Sequence, residues 1–159
     1  MKEQQEIVLC SPLKGRVVPL AEVADEAFAQ GVLGDGIAVC PTEGVLCAPA
    51  DGRVGQLFES RHALTYLVDG GAELLLHIGI DTVALKGAPF TVKVTEGQRC
   101  SRGEALIAFD IGAIRAAGYD VTTPMIVSNS DDYILEMLAS GEVEVGTPLL
   151  RLRRREGRQ

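Results

Sequence analysis

The sequence predicts an all-β fold, an antiparallel sandwich or barrel with a few short helices, and three observations carry that expectation. Short apolar or alternating runs recur at residues 37–39, 45–47, 54–58, 64–68, 74–78, 90–94, 105–109, 124–127, 142–145 and 149–152. Turn signals separate them, among them Gly34-Asp35-Gly36, Pro49-Ala50-Asp51-Gly52, Asp69-Gly70-Gly71, Lys86-Gly87-Ala88-Pro89 and Glu96-Gly97. Many short strands at close spacing suit packed or closed β-sheets. The 18 glycines and 7 prolines are spread along the whole chain, as frequent tight turns require. Finally, Cys10, Pro12, Gly15, Arg16, Val17 and Leu20 return 37 residues later as Cys47, Pro49, Gly52, Arg53, Val54 and Leu57. Gly103-x-x-Leu106-Ile107 likewise resembles Gly146-x-x-Leu149-Leu150. These echoes point to a duplicated β architecture.

Helix is expected only in brief pieces. Residues 131–139 have Ser130 as N-cap, acids in the first turn and apolar Ile134, Leu135 and Leu138 at helical spacing. Residues 23–29 and 111–117 are weaker helical candidates. A chain of 159 residues suffices for one hydrophobic core. It divides into a short polar tail at 1–6, one domain over 7–152 and a basic tail at 153–159.

The formal net charge of -7 conceals an asymmetry. Residues 151–159 hold Arg151, Arg153, Arg154, Arg155 and Arg158 against Glu156, leaving 10 basic and 21 acidic side chains in residues 1–150. An acidic body disfavours nucleic acid and suits a basic protein partner. The arginine run reads as a solvated, frayed terminus rather than a site for RNA or anionic lipid. Cys10, Cys40, Cys47 and Cys100 form no CxxC pair and read as reduced, partly buried thiols. No apolar run approaches the roughly 20 residues of a membrane span, and the polar start lacks a secretory core. A cytoplasmic protein is expected.

The chain has only two histidines, His62 and His77. If Asp69-Gly70 forms a two-residue type I′ turn between runs 64–68 and 74–78, Val68 faces Gly71. Residues facing each other then have numbers adding to 139, as His62 and His77 do. Their Cβ atoms would lie roughly 4.5–5.5 Å apart. In this register Ala63, Thr65, Leu67, Leu74, Leu76 and Ile78 form the core face. His62, Leu64, Leu75 and His77 share the other. A neutral imidazole is a competent nucleophile near neutral pH, and a second one can donate a hydrogen bond to phosphoryl oxygens. Phosphoryl transfer asks mainly for in-line positioning and donors, so such a pair can perform it. The Ser60 hydroxyl, two residues away, can orient His62.

The run from Gly71 to Gly87, with Leu74-Leu75-Leu76-His77-Ile78-Gly79-Ile80-Asp81-Thr82-Val83 at its centre, resembles the active-site segment of the glucose-type enzyme IIA proteins. These serve the bacterial phosphoenolpyruvate-dependent sugar phosphotransferase system. The likeness extends to Gly34-Asp35-Gly36-Ile37-Ala38, Pro41-Thr42, Ala48-Pro49, Asp51-Gly52, Phe58-Glu59, His62-Ala63, Glu96-Gly97-Gln98-Arg99 and Pro124-x-x-x-Ser128-Asn129, covering residues 7–152.

The resemblance implies a β-sandwich of the duplicated hybrid motif type. It implies that His77 is phosphorylated by the small phosphocarrier HPr, itself charged by enzyme I, and passes the group to a sugar-specific enzyme IIB. His62 would support the phosphoryl group, and Ser60 stands where some relatives carry Thr. Phe28, Val32, Leu33, Phe58 and Leu75 match a partner-binding apolar patch. Core packing is the alternative for these, more so for Val32 and Leu33 than for Leu75. Asp25 and Asp81 match acids at the rim, Asp81 being equally explicable as a turn residue.

No metal is implied for the protein itself, although His62 and His77 can share zinc with a partner's carboxylate. A monomer is expected, without membrane insertion. Met1–Glu6 is shorter and more polar than the membrane-associating tail of enteric relatives, and Gly31 and Arg61 depart from their pattern. No permease segment accompanies the domain, so the sugar-translocating units are expected on separate proteins.

Three rival readings fare worse. His77-x-x-x-Asp81 resembles half the zinc site of certain cell-wall peptidases, but these need a third histidine. A lipoyl- or biotinyl-carrier module needs a Lys at a hairpin, and Lys2, Lys14, Lys86 and Lys93 lack suitable flanks. A regulatory binding protein would use the same apolar patch but tolerate loss of His77.

Overall fold

The computed structural model describes residues 6–156. The chain opens with β1 (Glu6–Cys10) and β2 (Gly15–Pro19), a 3-10 turn at Leu20–Glu22 and the one-turn helix α1 (Glu26–Ala29). Next come β3 (Asp35–Pro41), β4 (Val45–Cys47), β5 (Gly52–Leu57), β6 (Ala63–Val68) and β7 (Glu73–His77). A 3-10 turn at Thr82–Leu85 leads to β8 (Phe90–Val92), β9 (Arg99–Cys100), β10 (Ala105–Phe109) and α2 (Ile111–Ala116). The chain closes with β11 (Thr123–Val127), a 3-10 turn at Ser130–Asp132, β12 (Tyr133–Met137), β13 (Glu142–Val143) and β14 (Pro148–Arg154).

One eight-stranded sheet runs β13-β2-β3-β11-β7-β6-β5-β9, and two three-stranded sheets run β1-β14-β12 and β4-β10-β8. The large sheet reads as two matching halves and the two small sheets match each other, and the hydrogen bonds bear on the sequence echo. Cys10 N–H donates to Pro49 O while Cys47 N–H donates to Pro12 O, both at 2.8 Å. Gly103 N–H donates to Ala48 O, and its counterpart Gly146 N–H to Ser11 O. β2 pairs with β13 through Gly15 and Val143, as β5 pairs with β9 through Gly52 and Cys100. Cys10, Pro12, Cys47 and Pro49 of the repeat therefore bind the two halves to each other.

The main core lies between the sheets and holds the fully buried Leu9, Leu46, Leu64, Tyr66, Leu74, Leu76, Leu106, Ile107 and Tyr133. Burying each such leucine contributes roughly 1.5–3 kcal/mol. Tyr66 satisfies its buried hydroxyl on Ala50 O at 2.7 Å. A second cluster, Leu20, Val23, Phe28, Ala38, Ile80 and Ile126, with Val18 and Leu75 against it, lies on the opposite face of the large sheet. The segment around α1 covers that face.

Four sequence expectations are corrected here. Residues 131–139 are no helix: a 3-10 turn gives way to β12, whose Tyr133 enters the core and whose backbone pairs with β14. Residues 153–159 are no frayed tail as far as they are described, because β14 continues to Arg154. Arg151 pairs with Glu6 and Glu136, Arg153 pairs with Glu6, and the Arg154 guanidinium lies 5.0 Å over the Tyr133 ring. Glu6 belongs to β1 rather than to a tail; residues 1–5 and 157–159 lie outside the described residues. Last, the β6–β7 hairpin turns through three residues, Asp69-Gly70-Gly71, with Val68 N–H donating to Ala72 O. That extra residue moves the register by one, so Ala63 faces His77 and Thr65 faces Leu75. A one-residue slip inverts a strand. Accordingly Leu64, Tyr66 and Val68 point into the core, while Thr65 is half-buried and Leu67 exposed.

Candidate functional site

The alternation of β7 delivers His77. Leu74 and Leu76 enter the main core, which sends Leu75 and His77 to the face beneath α1. Asp25 caps α1 by accepting from Phe28 N–H at 3.2 Å, and this holds Phe28 against His77 with ring centroids 5.2 Å apart. After His77 the chain turns sharply at Gly79, whose φ is +77. Its carbonyl lies 2.8 Å from His77 Nδ1. A carbonyl only accepts, so Nδ1 carries the proton and Nε2 keeps its lone pair. A Cβ at residue 79 would stand 2.5 Å from Thr82 Cγ2 and 2.8 Å from Asp120 O, so only glycine fits.

His62 arrives from another direction. Residues 58–61 form a turn closed by Arg61 N–H on Phe58 O at 2.8 Å, and Arg61 is left-handed at φ 62. That kink takes His62 out of the pleat of β6, and its carbonyl accepts from Ile78 N–H at 2.8 Å. The two imidazoles meet although they are not facing residues: their centroids are 4.8 Å apart and their planes lie at 82°. Phe58 at 5.8 Å and Phe90 at 6.4 Å flank His62. Three of the chain's four phenylalanines thus surround the pair.

Burial governs the protonation of both rings. His62 is 4% exposed, and desolvation, reinforced by His77, pulls its pKa from 6.5 down to about 4. Burial also lowers His77, with the Gly79 carbonyl, Asp25 and Asp81 opposing it. Both imidazoles are therefore neutral at neutral pH. Among the described residues, no group of three or more His, Cys, Asp or Glu is placed to hold a metal ion.

The sequence that builds this pair of imidazoles matches the model of a known family. The model of the phosphoenolpyruvate-dependent sugar phosphotransferase system, EIIA 1, matches residues 7–133. The chain belongs to that family. A β-glucoside-specific EIIBCA component of Dickeya chrysanthemi is 51% identical over 91% of the chain, and the chain covers 23% of that protein. The chain thus spans about a quarter of the β-glucoside relatives it matches. A glucose-specific EIIA component of Oceanobacillus iheyensis is 40% identical, covering 82% of this chain and 79% of the relative. The solved glucose permease IIA from Mycoplasma capricolum superposes with a TM-score of 0.87 at 33% identity, over 92% of this chain and 96% of that one.

The residues expected to form a partner-binding patch are placed as follows. Phe28 is buried at 6%, Leu75 and Phe58 are half-buried, and Val32 and Leu33 are exposed at 70% and 44%. Core packing, the alternative weighed for Val32 and Leu33, is excluded by their exposure. Asp81 is a turn residue: left-handed at φ 61, exposed, and without a capping bond. Ser60 does not orient His62 as expected, because His62 Nδ1 is buried without a hydrogen-bond partner. The Ser60 backbone is near enough to favour the protonated ring slightly. Sequence reasoning passed over Gly79, Thr82 and Phe90 as site residues. The Gly79 signal lay in plain view, two residues after His77 in a tight motif.

Proposed function

We propose that this domain is a cytoplasmic phosphocarrier that takes a phosphoryl group from phospho-HPr onto Nε2 of His77 and passes it to a sugar-specific enzyme IIB during sugar uptake. The observation that carries the reading is His77 Nδ1–H held on Gly79 O, with the His62 ring 4.8 Å away. As the Nε2 lone pair bonds to phosphorus, the bond from phosphorus to the donor breaks in line, and the proton on Nδ1 stays on its carbonyl. His62 donates to the phosphoryl oxygens, and its burial keeps that hydrogen bond away from competing water. Exposed Val32, Leu33 and Val83 offer the donor an apolar landing surface, and Asp25 and Asp81 suit a basic partner. Domains named EIIA and EIIB occur in one chain in the β-glucoside relatives, which supports a direct hand-over between the two. Zinc is not needed for this step; His62 and His77 would hold it only with a ligand from a partner. Among the described residues no helix is long and apolar enough to cross a membrane.

The test mixes the protein with phosphoenolpyruvate, enzyme I and HPr and follows intact mass. One added phosphoryl group, labile in acid and stable in alkali, is expected. His77→Ala should abolish it. An unchanged mass in the wild type, with HPr demonstrably charged, contradicts the proposal.

A further inference from the structure

Three successive peptide planes follow His77, and each is clamped. The Ile78 N–H donates to the His62 carbonyl at 2.8 Å, tying one histidine's backbone to the residue after the other. The Ile78 carbonyl accepts the Thr82 hydroxyl, which fixes the Ile78–Gly79 peptide. The next peptide, Gly79–Ile80, is held on one side by Ile80 N–H donating to Asp120 O at 3.0 Å. On its other side the Gly79 carbonyl takes His77 Nδ1–H. Apart from the His77 ring itself, Thr82 is the only side chain among the described residues that bonds to residues 78–80.

Thr82 is fully buried and its methyl lies where a residue-79 Cβ would point, 2.5 Å from that position. The hydroxyl thus sets one peptide plane while the methyl backs the left-handed Gly79. Asp81, left-handed itself, opens the 3-10 turn that brings Thr82 back onto Ile78.

The geometry points to Thr82 as a positioning residue: its hydroxyl, through the Ile78 carbonyl, aims the Gly79 carbonyl that keeps the proton of His77 on Nδ1. Without that hydroxyl the Ile78 carbonyl is left to find another partner. The peptide then turns, and the Gly79 carbonyl leaves its line to the ring. The proton of His77 then divides between Nδ1 and Nε2, and each Nε2–H molecule is unable to attack phosphorus. This effect on rate rests on the phosphocarrier reading; the effect on the tautomer does not.

The experiment records long-range proton–nitrogen spectra of histidine-labelled protein, which separate Nδ1–H from Nε2–H imidazole, alongside the rate of phosphoryl uptake from charged HPr. Thr82→Val keeps the methyl and loses the hydroxyl; Thr82→Ser does the reverse. We expect Thr82→Val to populate the Nε2–H form of His77 and to slow uptake roughly 10-fold, a displacement-sized effect. Thr82→Ser should keep the Nδ1–H form and a rate near wild type. Should Thr82→Val fail to fold, Thr82→Ala against Thr82→Ser makes the same comparison. A pure Nδ1–H tautomer in the hydroxyl-less variant, or equal losses in both variants, overturns the inference. A tautomer change in a protein that accepts no phosphoryl group leaves the positioning role standing and removes the phosphocarrier reading instead.

Discussion

The two halves of the molecule share one scaffold and do different things with the same strand end. Pro41 faces Gly15 in one half as Val68 faces Gly52 in the other. Following the pairings onward, β3 corresponds to β6 and β11 to β7, and Ile126 falls at the counterpart of His77. Ile126 is fully buried in the cluster under α1. Beyond it Asn129 closes the strand end, accepting from Glu73 N–H at 3.0 Å and donating to Gly71 O at 2.9 Å. Ser130 adds a bond from Asp35 N–H. Beyond His77 the chain instead makes the Gly79 turn, which orients a ring rather than sealing the end. The β framework supplies a platform twice; chemistry needs two histidines, one left-handed kink before the first and one tight turn after the second.

The contrast can be broken by making the active half resemble the inert one. In the proposed transfer, His62→Ala removes the donor beside the phosphoryl group. It should leave acceptance from HPr measurable and reduce onward transfer to enzyme IIB by on the order of 100-fold, in line with loss of a transition-state donor. Rapid-quench assays of each half-reaction separate the two, and unimpaired onward transfer would remove His62 from the mechanism.

An effect on stability comes next in size. His62 titrates near 6.5 unfolded and about 4 folded, so the unfolded chain binds more protons between these values. Stability is therefore full above pH 6.5 and lost as pH falls toward 4, by at most roughly 3 kcal/mol from His62. Urea denaturation at pH 7 and pH 4.5 should show this loss in the wild type and a smaller one in His62→Gln. Identical slopes in the two proteins would show that the buried imidazole does not set the acid response.

The smallest effect concerns the kink. Arg61 has no β-strand alternative at φ 62, and glycine holds that conformation without a Cβ penalty. Arg61→Gly should raise stability by about 0.5–1 kcal/mol and change phosphoryl uptake less than about twofold. Chemical denaturation with a parallel uptake assay checks both numbers. A large fall in uptake would mean that the Arg61 side chain, not merely its backbone, serves the site.

Much of this is legible in the residue pattern, and the failures have separate causes. β4 and β10 are bounded correctly, and the Cys and Pro positions of the 37-residue echo lie at the seam between halves, because turn chemistry and alternation are local signals. β12 was misread because Ser130-Asp131-Asp132 followed by Ile134, Leu135 and Leu138 imitates a capped helix. Pairing with β14, a partner distant in sequence, decides otherwise. The hairpin register failed because Gly71, at φ 112, joins Asp69-Gly70 to make a three-residue loop. The histidines meet nonetheless, through the left-handed Arg61 that no periodicity announces. The glycine and threonine behind His77 act through backbone planes, so their part becomes visible only once the chain is folded.

Which nitrogen takes the phosphoryl group decides whether the proposed transfer is right. Phosphorus–nitrogen coupling in the phosphorylated protein, uniformly labelled with nitrogen-15, reads this directly. The phosphorus resonance should couple to Nε2 of His77, with Nδ1 of that ring still protonated on the Gly79 carbonyl. Coupling to Nδ1 of His77, or to either nitrogen of His62, would contradict it.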